Sequence, residues 1–521
     1  MVDVNSLVQM WVRLLLVVTV CLAKKSLKGT RPNIIIMNMD DMGWGDLGHN
    51  GEPNRETPRI DQLAAEGLTA TSMYTAAPLC SPSRASLLTG RLPVRNGFYS
   101  DNLPGRNAYT PQDIVGGISA DEILLPELLS TANYTSKIIG KWHLGHRSPH
   151  LPLERGFDQW YGSPNCHFGP YDDKTTPNIP VFRNDKMVGR YYEEFPIHQG
   201  ESNMTVLFTS EAVSFIHEQA GKEPFFLYWA PDATHSPTYA SKAYMGGSKR
   251  GKYGDSVREL DAGVGAIMDA LNATEQSNNT LVVFTSDNGA QLISKFDGGS
   301  NGPFLCGKQT TFEGGMRAPG IFWWPAVIKP GSVTHQVWTQ MDLFSTSLEV
   351  AGVELPNDRF LDGMPLARSF QHPELEVLRP VFLYRGDRLM AVRQGAYKIH
   401  VWTWSTPDHF LVKGIDFCPG SLVPNVTTSN ATNHTNQPIL FNIEIDPSER
   451  YPIHPSNPTY QQQVPQLLAI VKKHEDTLQK GTPQLNWCDD HVMHWAPPGC
   501  EELNKCLPAP PSNPTKCYWD H

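Results

Sequence analysis

Two polar pairs, Asp40 with Asp41 and Asp287 with Asn288, directly follow short apolar runs and present only oxygen donors. Together they carry three formal negative charges. That set suits one hard cation, calcium or magnesium with calcium preferred, and disfavours a thiolate-type zinc site. An isolated Asp pair is commonly a cap or a turn. A second pair ending another run makes a shared ligand set the better reading. Cys80 is followed by Ser81, Pro82, Ser83 and Arg84, then by a helical stretch over 85–89 that Gly90 stops. Cys80 therefore sits at a helix N-terminus, where free N–H groups and the helix dipole favour an anion, and Arg84 can add charge-assisted hydrogen bonds to a tetrahedral oxyanion. Lys141, His143 and His235 complete the polar residues that follow apolar runs.

These side chains need elements that bring them together. Residues 33–39, 135–139, 225–229 and 281–285 are apolar or β-branched runs of buried-strand length. Between the last two, Asp255 can cap a helix whose Val257, Leu260, Val264, Ile267, Met268 and Leu271 recur at helical spacing. Strand and helix alternate, which implies an α/β domain with a largely parallel sheet. In such sheets ligands bind beyond the carboxyl ends of the strands, so four strand endings converge on one crevice. After Pro380 the pattern changes to short segments, 381–384, 389–393 and 397–404, separated by Gly-containing turns, as in an antiparallel meander. A smaller α+β domain is expected there, with a helix carrying Leu467, Leu468, Val471 and Leu478 inward and an exposed loop near 425–435.

At 521 residues the chain exceeds one usual core, and 40% hydrophobic with 18% charged residues reads as globular. The net charge of -10 argues against nucleic-acid binding and requires that positive charge for an anionic substrate be placed locally. Residues 14–23 are apolar, end in small residues and are too short to span a bilayer. They read as a signal peptide cleaved near Ala23, with a retained anchor as the minority alternative because Asp3 offsets Arg13. Export agrees with the sequons at Asn133, Asn203, Asn272, Asn278, Asn425, Asn430 and Asn433, of which Asn203 and Asn425 are the expected carriers. Cys488, Cys500, Cys506 and Cys517 crowd a Pro-rich tail with little apolar sequence, so disulfides are expected to staple it; four cysteines allow three pairings. The expected divisions are a signal over 1–23, a catalytic domain over 24–379, the smaller domain over 380–480 and the tail over 481–521.

The run over 80–91, Cys-Ser-Pro-Ser-Arg-Ala-Ser-Leu-Leu-Thr-Gly-Arg, resembles the sulfatase motif whose cysteine is oxidised to formylglycine. Residues 140–145, Gly-Lys-Trp-His-Leu-Gly, resemble that family's second motif, and Asp40, Asp41, Asp287 and Asn288 match its metal ligands. The resemblance implies an alkaline-phosphatase-like fold and a calcium ion that residue 80 also touches. It implies, too, a partner enzyme that generates the formylglycine. One hydroxyl of the hydrated aldehyde would attack sulfur; Arg84, Lys141 and Lys308 would neutralise the sulfate. His235, with Lys308, would protonate the leaving oxygen, and His143 would take the proton whose loss expels sulfate. Tyr109 is carried over through its neighbours Asn107, Ala108, Thr110 and Pro111 as a substrate contact. The resemblance also implies the pairings Cys306–Cys418, Cys488–Cys517 and Cys500–Cys506, with Cys166 outside them.

Segments 165–171, 301–317, 414–420 and 495–506 extend the likeness to the branch of the family that acts on 6-sulfated N-acetylgalactosamine. The expected enzyme is a lysosomal, homodimeric exo-sulfatase of 6-sulfated N-acetylgalactosamine and galactose in chondroitin and keratan sulfate. Its optimum is expected in acid, on the ground that a histidine of ordinary pKa, about 6.5, would hold its proton there. The alternatives are a sulfatase of other esters, arylsulfatase-like, and a phosphatase or phosphodiesterase of the same fold. The latter would want a Ser or Thr nucleophile and a two-metal set richer in His. A catalytically silent glycan-binding protein would be expected to have lost Cys80, Arg84 or the acids.

Overall fold

The computed structural model describes residues 26–167, 178–191, 201–420, 422–494 and 496–519. The apolar run at 14–23, Trp495 and the stretch 168–171 fall outside them. Among the described residues no helix is long and apolar enough to cross a membrane.

Asn33–Met39 lies at the centre of an eleven-stranded mixed sheet and pairs in parallel with Phe225–Ala230 on one side and Thr280–Ser286 on the other. Thr135–Lys141 and then Gln159–Ser163 continue the parallel order beyond Phe225–Ala230. Ile321–Trp323, antiparallel, joins Thr280–Ser286 to Leu68–Tyr74 on the far side. The continuous apolar runs follow from burial on both faces. Alternation still sorts them: Ile34, Ile36, Phe226, Tyr228, Leu281 and Val283 enter one core, and Ile35, Met37, Leu227, Trp229, Val282 and Phe284 the other.

Helices Pro58–Glu66, Met204–Glu218 and Lys252–Ala273 cover the second of these faces, and Cys80–Thr89, Leu125–Ser130 and Gln340–Ala351 the first. The expected apolar stripe of Lys252–Ala273 is buried, but Asp255 does not cap it. Gly251 takes that position, and the Asp255 carboxylate accepts N–H bonds from Gly246, Gly247 and Ser248, pinning the loop that enters the helix. A lone Asp at the start of an apolar stripe does not reveal the extra turn before it.

The second sheet is antiparallel: Pro380–Arg385, Arg388–Gln394, Tyr397–His400 and Ile439–Asn442. Helix Pro458–Thr477 packs on it through Tyr460, Val464, Leu467 and Val471. Leu468 is only half-buried, and Leu478 follows the helix as its C-cap. The expected segment 397–404 is broken in two, because Trp402–Thr403 leaves the sheet to pair with Thr432–Asn433. The region 425–435 is thus partly strand, and Val426 is buried beside Cys418 and Phe441.

Cys306–Cys418 ties the large sheet's loops to this region, and Cys488–Cys517 and Cys500–Cys506 staple the tail. The tail is better anchored than its composition implies: Leu485 and Trp519 join the largest core cluster. All seven sequon asparagines are exposed.

Candidate active site

Asp40 and Asp41 follow Met39, and Asp287 and Asn288 follow Ser286, its register partner, so the four side chains meet at one sheet edge. The Asp287 N–H donates to the Met39 carbonyl (3.1 Å) and the Asp41 N–H to Asp287 Oδ1 (3.2 Å). Asp41 and His143 both sit at positive φ, 59° and 66°, a sparsely populated conformation for non-glycine residues that concentrates at functional sites. Gly140, at φ 102°, ends Thr135–Lys141 against the Ala230 carbonyl, where a Cβ would come within 2.2 Å; only glycine fits that approach.

Cys80 is the first residue of helix Cys80–Thr89, which is buried throughout. Gly90 stops the helix at φ 70°, and its missing Cβ leaves room for the Phe344 ring. One turn on, Arg84 reaches Asp287 through Nε and Nη2 (2.9 and 2.8 Å) and donates to the Lys141 carbonyl (3.2 Å). Lys141 Nζ lies 2.7 Å from Asp40 Oδ2, and Lys308 Nζ 2.7 Å from Asp41 Oδ1. His235 Nε2 is 3.7 Å from Asp41 Oδ2. A cleft of about 260 Å³ opens over this floor, lined by Cys80, Tyr109, His143, His235, Gln291, Lys308, Gln309 and Phe417 among others. Asp40, Arg84, Lys141, Asp287 and Asn288 form the buried layer at its base.

Three carboxylates face three cations, so the protein's own charge at the centre nearly cancels. Burial would raise Asp40, but Lys141, His235, Arg84 and Lys308 together hold it well below the usual carboxylate range. Burial dominates at Asp41, which is raised despite Lys308, and at Asp287, raised to about 7 despite Arg84. Burial also pushes the Cys80 thiol up against the pull of Lys141 and Lys308, which disfavours a thiolate. His143 is held well below its ordinary value by burial and then by Lys141 and Arg84.

The same holds for His235, lowered well below 6.5 by burial and then by Lys308. The expected acid optimum rested on an ordinary pKa for His235 and loses that ground. A histidine enclosed beside a buried ammonium does not charge as a solvated one does.

Several buried polar atoms of this centre have no hydrogen-bond partner among the described residues: Asp40 Oδ1, Asn288 Oδ1 and His143 Nδ1. Such atoms are costly unless something fills the site. Donor atoms of Asp40, Cys80 and Asp287 lie within 4.8 Å of one another, as do those of Asp40, Asp41 and His235. Orphaned oxygens among crowded carboxylates fit a hard divalent cation, with Asp40, Asp41, Asp287 and Asn288 as its holders.

The structure also brings in residues to which the sequence reading gave no role at the site. Gln291 Oε1 accepts from Lys308 (3.2 Å), and Cys166 Sγ lies 3.4 Å from Lys141 Nζ. Asn165 donates to the Thr110 carbonyl (2.8 Å). His167 pairs with Asp232 (2.7 Å) and sets its ring edge-on to His235. Asn165, Cys166 and His167 follow the parallel strand Gln159–Ser163, so the strand-ending pattern, extended by one strand, would have found them. Gln291 had no such signal.

Residues 32–353 match the family model described as Sulfatase, and 377–508 that described as C-terminal region of aryl-sulfatase. The chain is 57% identical to N-acetylgalactosamine-6-sulfatase of Mus musculus over 94% of its length and 95% of that protein's. It is 34% identical to arylsulfatase A of Homo sapiens over 92% and 95%. A solved sulfatase from Pseudoalteromonas sp. superposes with a TM-score of 0.74 at 29% identity, covering 87% of this chain and 93% of that one.

Proposed function

Because the chain belongs to the sulfatase family, the sulfuric ester hydrolases, we propose that it removes 6-sulfate from terminal N-acetylgalactosamine and galactose residues of chondroitin and keratan sulfate. The nucleophile is a formylglycine made from Cys80 by a formylglycine-generating enzyme. We extend the reading to a lysosomal homodimer. One observation carries it: in a chain so like the N-acetylgalactosamine-6-sulfatases, donor atoms of Asp40 and Asp287 gather with Cys80 at a sugar-sized cleft, beside orphaned oxygens of Asp40 and Asn288. Hydrated formylglycine supplies two hydroxyls on one carbon, one for attack on sulfur and one whose deprotonation releases sulfate. Calcium held by Asp40, Asp41, Asp287 and Asn288 supplies Lewis acidity toward both the nucleophile and the sulfate oxygens.

The chain's own residues do the rest. With a divalent ion bound, the nearly neutral centre would become two charges positive, enough to attract the single negative charge of a sulfate ester, and Arg84, Lys141 and Lys308 surround it with N–H donors. His143 donates its Nε2–H to the Thr110 carbonyl (3.1 Å), which leaves the Nδ1 lone pair as the base. Its depressed pKa keeps that lone pair open. His235 donates its Nδ1–H to the Ser236 carbonyl (2.8 Å), so Nε2 carries a proton only when the ring is charged. An arriving sulfate ester beside Lys308 favours that charge, so His235 takes up its proton with the substrate and delivers it to the leaving oxygen. Lys308, held charged by Asp41, donates to the same oxygen.

The test compares sulfate release from 6-sulfated, 4-sulfated and N-sulfated saccharides at acidic and neutral pH. Preference for the 6-sulfated terminal sugar is expected. Preference for either other sulfate, or for a phosphate monoester, overturns the assignment.

A further inference from the structure

The nucleophile's cleft has a neighbour. A second cleft, of about 350 Å³, opens on the other side of Tyr109, which lines both. Its far wall is the disulfide-bonded tail. Strand Trp487–Cys488 pairs with Thr515–Lys516, and Cys488–Cys517 locks the pair. The tail is also fastened to the segment that carries Tyr109: the Val115 N–H donates to the Trp487 carbonyl (2.9 Å), and the Asp489 N–H to that of Asp113 (2.7 Å). Asn102 Nδ2 bonds the carbonyls of Asn486 and Cys517 (2.7 and 3.0 Å). A tail so tied is a rigid wall, able to bind without a large ordering cost.

What this wall presents is the chemistry of carbohydrate recognition. Tyr518 is 74% exposed, a large aromatic ring with no packing role to explain it. Trp519 is only 5% exposed, and its buried Nε1–H has no acceptor among the described residues. Its ring lies 5.3 Å from that of Tyr109. Asp113 adds a carboxyl, and Lys516 adds an ammonium. Aromatic bodies with polar tips beside a few convergent polar groups suit a sugar, with ring faces for its C–H surface and donors and acceptors for its hydroxyls.

We propose that this second cleft is the subsite for the second sugar of the glycosaminoglycan chain, with Tyr518 and Trp519 as its platform and Lys516 facing that sugar's carboxylate or sulfate; this rests on the functional reading above. Tyr109 then divides the terminal sugar from the next one. The tail sets chain-length preference, and the remote contacts contribute to turnover of the terminal ester.

The experiment measures kcat/KM on two compounds, a methyl glycoside of 6-sulfated N-acetylgalactosamine and a trisaccharide ending in that sugar with a hexuronate next. The parent protein should favour the trisaccharide. In Lys516→Ala and Tyr518→Ala the trisaccharide-to-monosaccharide ratio should fall by roughly tenfold. Monosaccharide turnover by the same preparation reports that the variant is folded. A parent with equal kcat/KM on both compounds, or variants whose ratio stays at the parent's value, overturns the subsite alone. A parent that releases sulfate from neither overturns the functional reading and the subsite with it.

Discussion

Two buried charge clusters among the described residues differ in how completely their carboxylates are satisfied. Where the second sheet meets the large one, Glu313 accepts from Tyr74 (2.6 Å), Arg317 (2.6 Å) and Lys398 (3.0 Å). Glu449 accepts from Lys398 (2.9 Å), His400 (2.6 Å) and the Glu313 N–H (2.6 Å). All four carboxylate oxygens are engaged, with His400 Nδ1 the atom of this cluster left without a partner among the described residues, and Lys398 and Arg317 hold Glu313 far below its ordinary pKa against the cost of burial. At the edge of the large sheet, by contrast, Asp40 Oδ1, Asn288 Oδ1 and His143 Nδ1 are left without hydrogen-bond partners among the described residues, and Asp41 and Asp287 are raised. Burial is equal in the two places, so it does not distinguish them. The saturated cluster fastens two sheets together; the unsaturated one leaves donor atoms open for a ligand.

The largest expected effect separates chemistry from folding. Cys80→Ala and Cys80→Ser should each lose turnover by roughly a thousandfold or more while keeping the parent's circular dichroism and melting behaviour. A single hydroxyl cannot release the sulfated intermediate, so a serine variant with parental multiple turnover would contradict the mechanism.

The converse experiment is made in the saturated cluster. Lys398→Met leaves Glu313 and Glu449 facing each other in a dry interior and should cost about 3–5 kcal/mol of stability. Turnover per folded molecule should hardly change. If denaturant unfolding shows little loss, or if kcat falls in protein that is still folded, the division between the clusters fails.

A smaller effect distinguishes the clusters by pH. The folded-state pKa of Asp287 is raised to about 7, so its ionisation costs stability as pH rises from near 4 through 7. Glu313 has a depressed folded pKa; its contribution is present above its unfolded value and is lost only in stronger acid. With divalent ions chelated, the protein should therefore be destabilised by roughly 1–3 kcal/mol between pH 5 and 8, and added calcium should remove most of that loss. Melting curves with chelator or calcium check this, and the account fails if the calcium effect is the same at both pH values.

The smallest prediction concerns Gln291, whose Oε1 receives one N–H of Lys308. Gln291→Met should lower kcat/KM by roughly fivefold, the worth of about one hydrogen bond, with no change in melting temperature. Steady-state kinetics on the 6-sulfated monosaccharide decide it.

The contrast between the clusters also separates what the sequence shows from what it hides. Much of the unsaturated centre is legible because its participants follow a strand or sit in the first turns of a helix: Asp40, Lys141, His235 and Asp287 lie past apolar runs whose period and length mark them, whereas Lys308, in a loop, is reached only through the family resemblance. The saturated cluster has no such signature. Glu313, Lys398, His400 and Glu449 come from a short helix, a meander strand and a loop, and only tertiary packing brings them together. The second sheet's fourth strand, Ile439–Asn442, was hidden for the same reason, lying past a polar stretch with no local sign of its partner. The tail's role as a wall could not be read either, since four cysteines fix neither their pairing nor their neighbours. His235 is the instructive error: its position was legible, but its protonation depends on Lys308 and burial, which no local pattern contains.

The central claim is that residue 80 acts as an aldehyde within a centre left open for metal and sulfate. Mass spectrometry of the residue-80 peptide, from protein whose sulfate release has just been measured, tests it most directly. Active preparations should carry the aldehyde at position 80 in proportion to their turnover, and preparations made without a formylglycine-generating enzyme should carry the thiol and be inactive. Full activity in protein whose Cys80 is wholly a thiol would contradict the account.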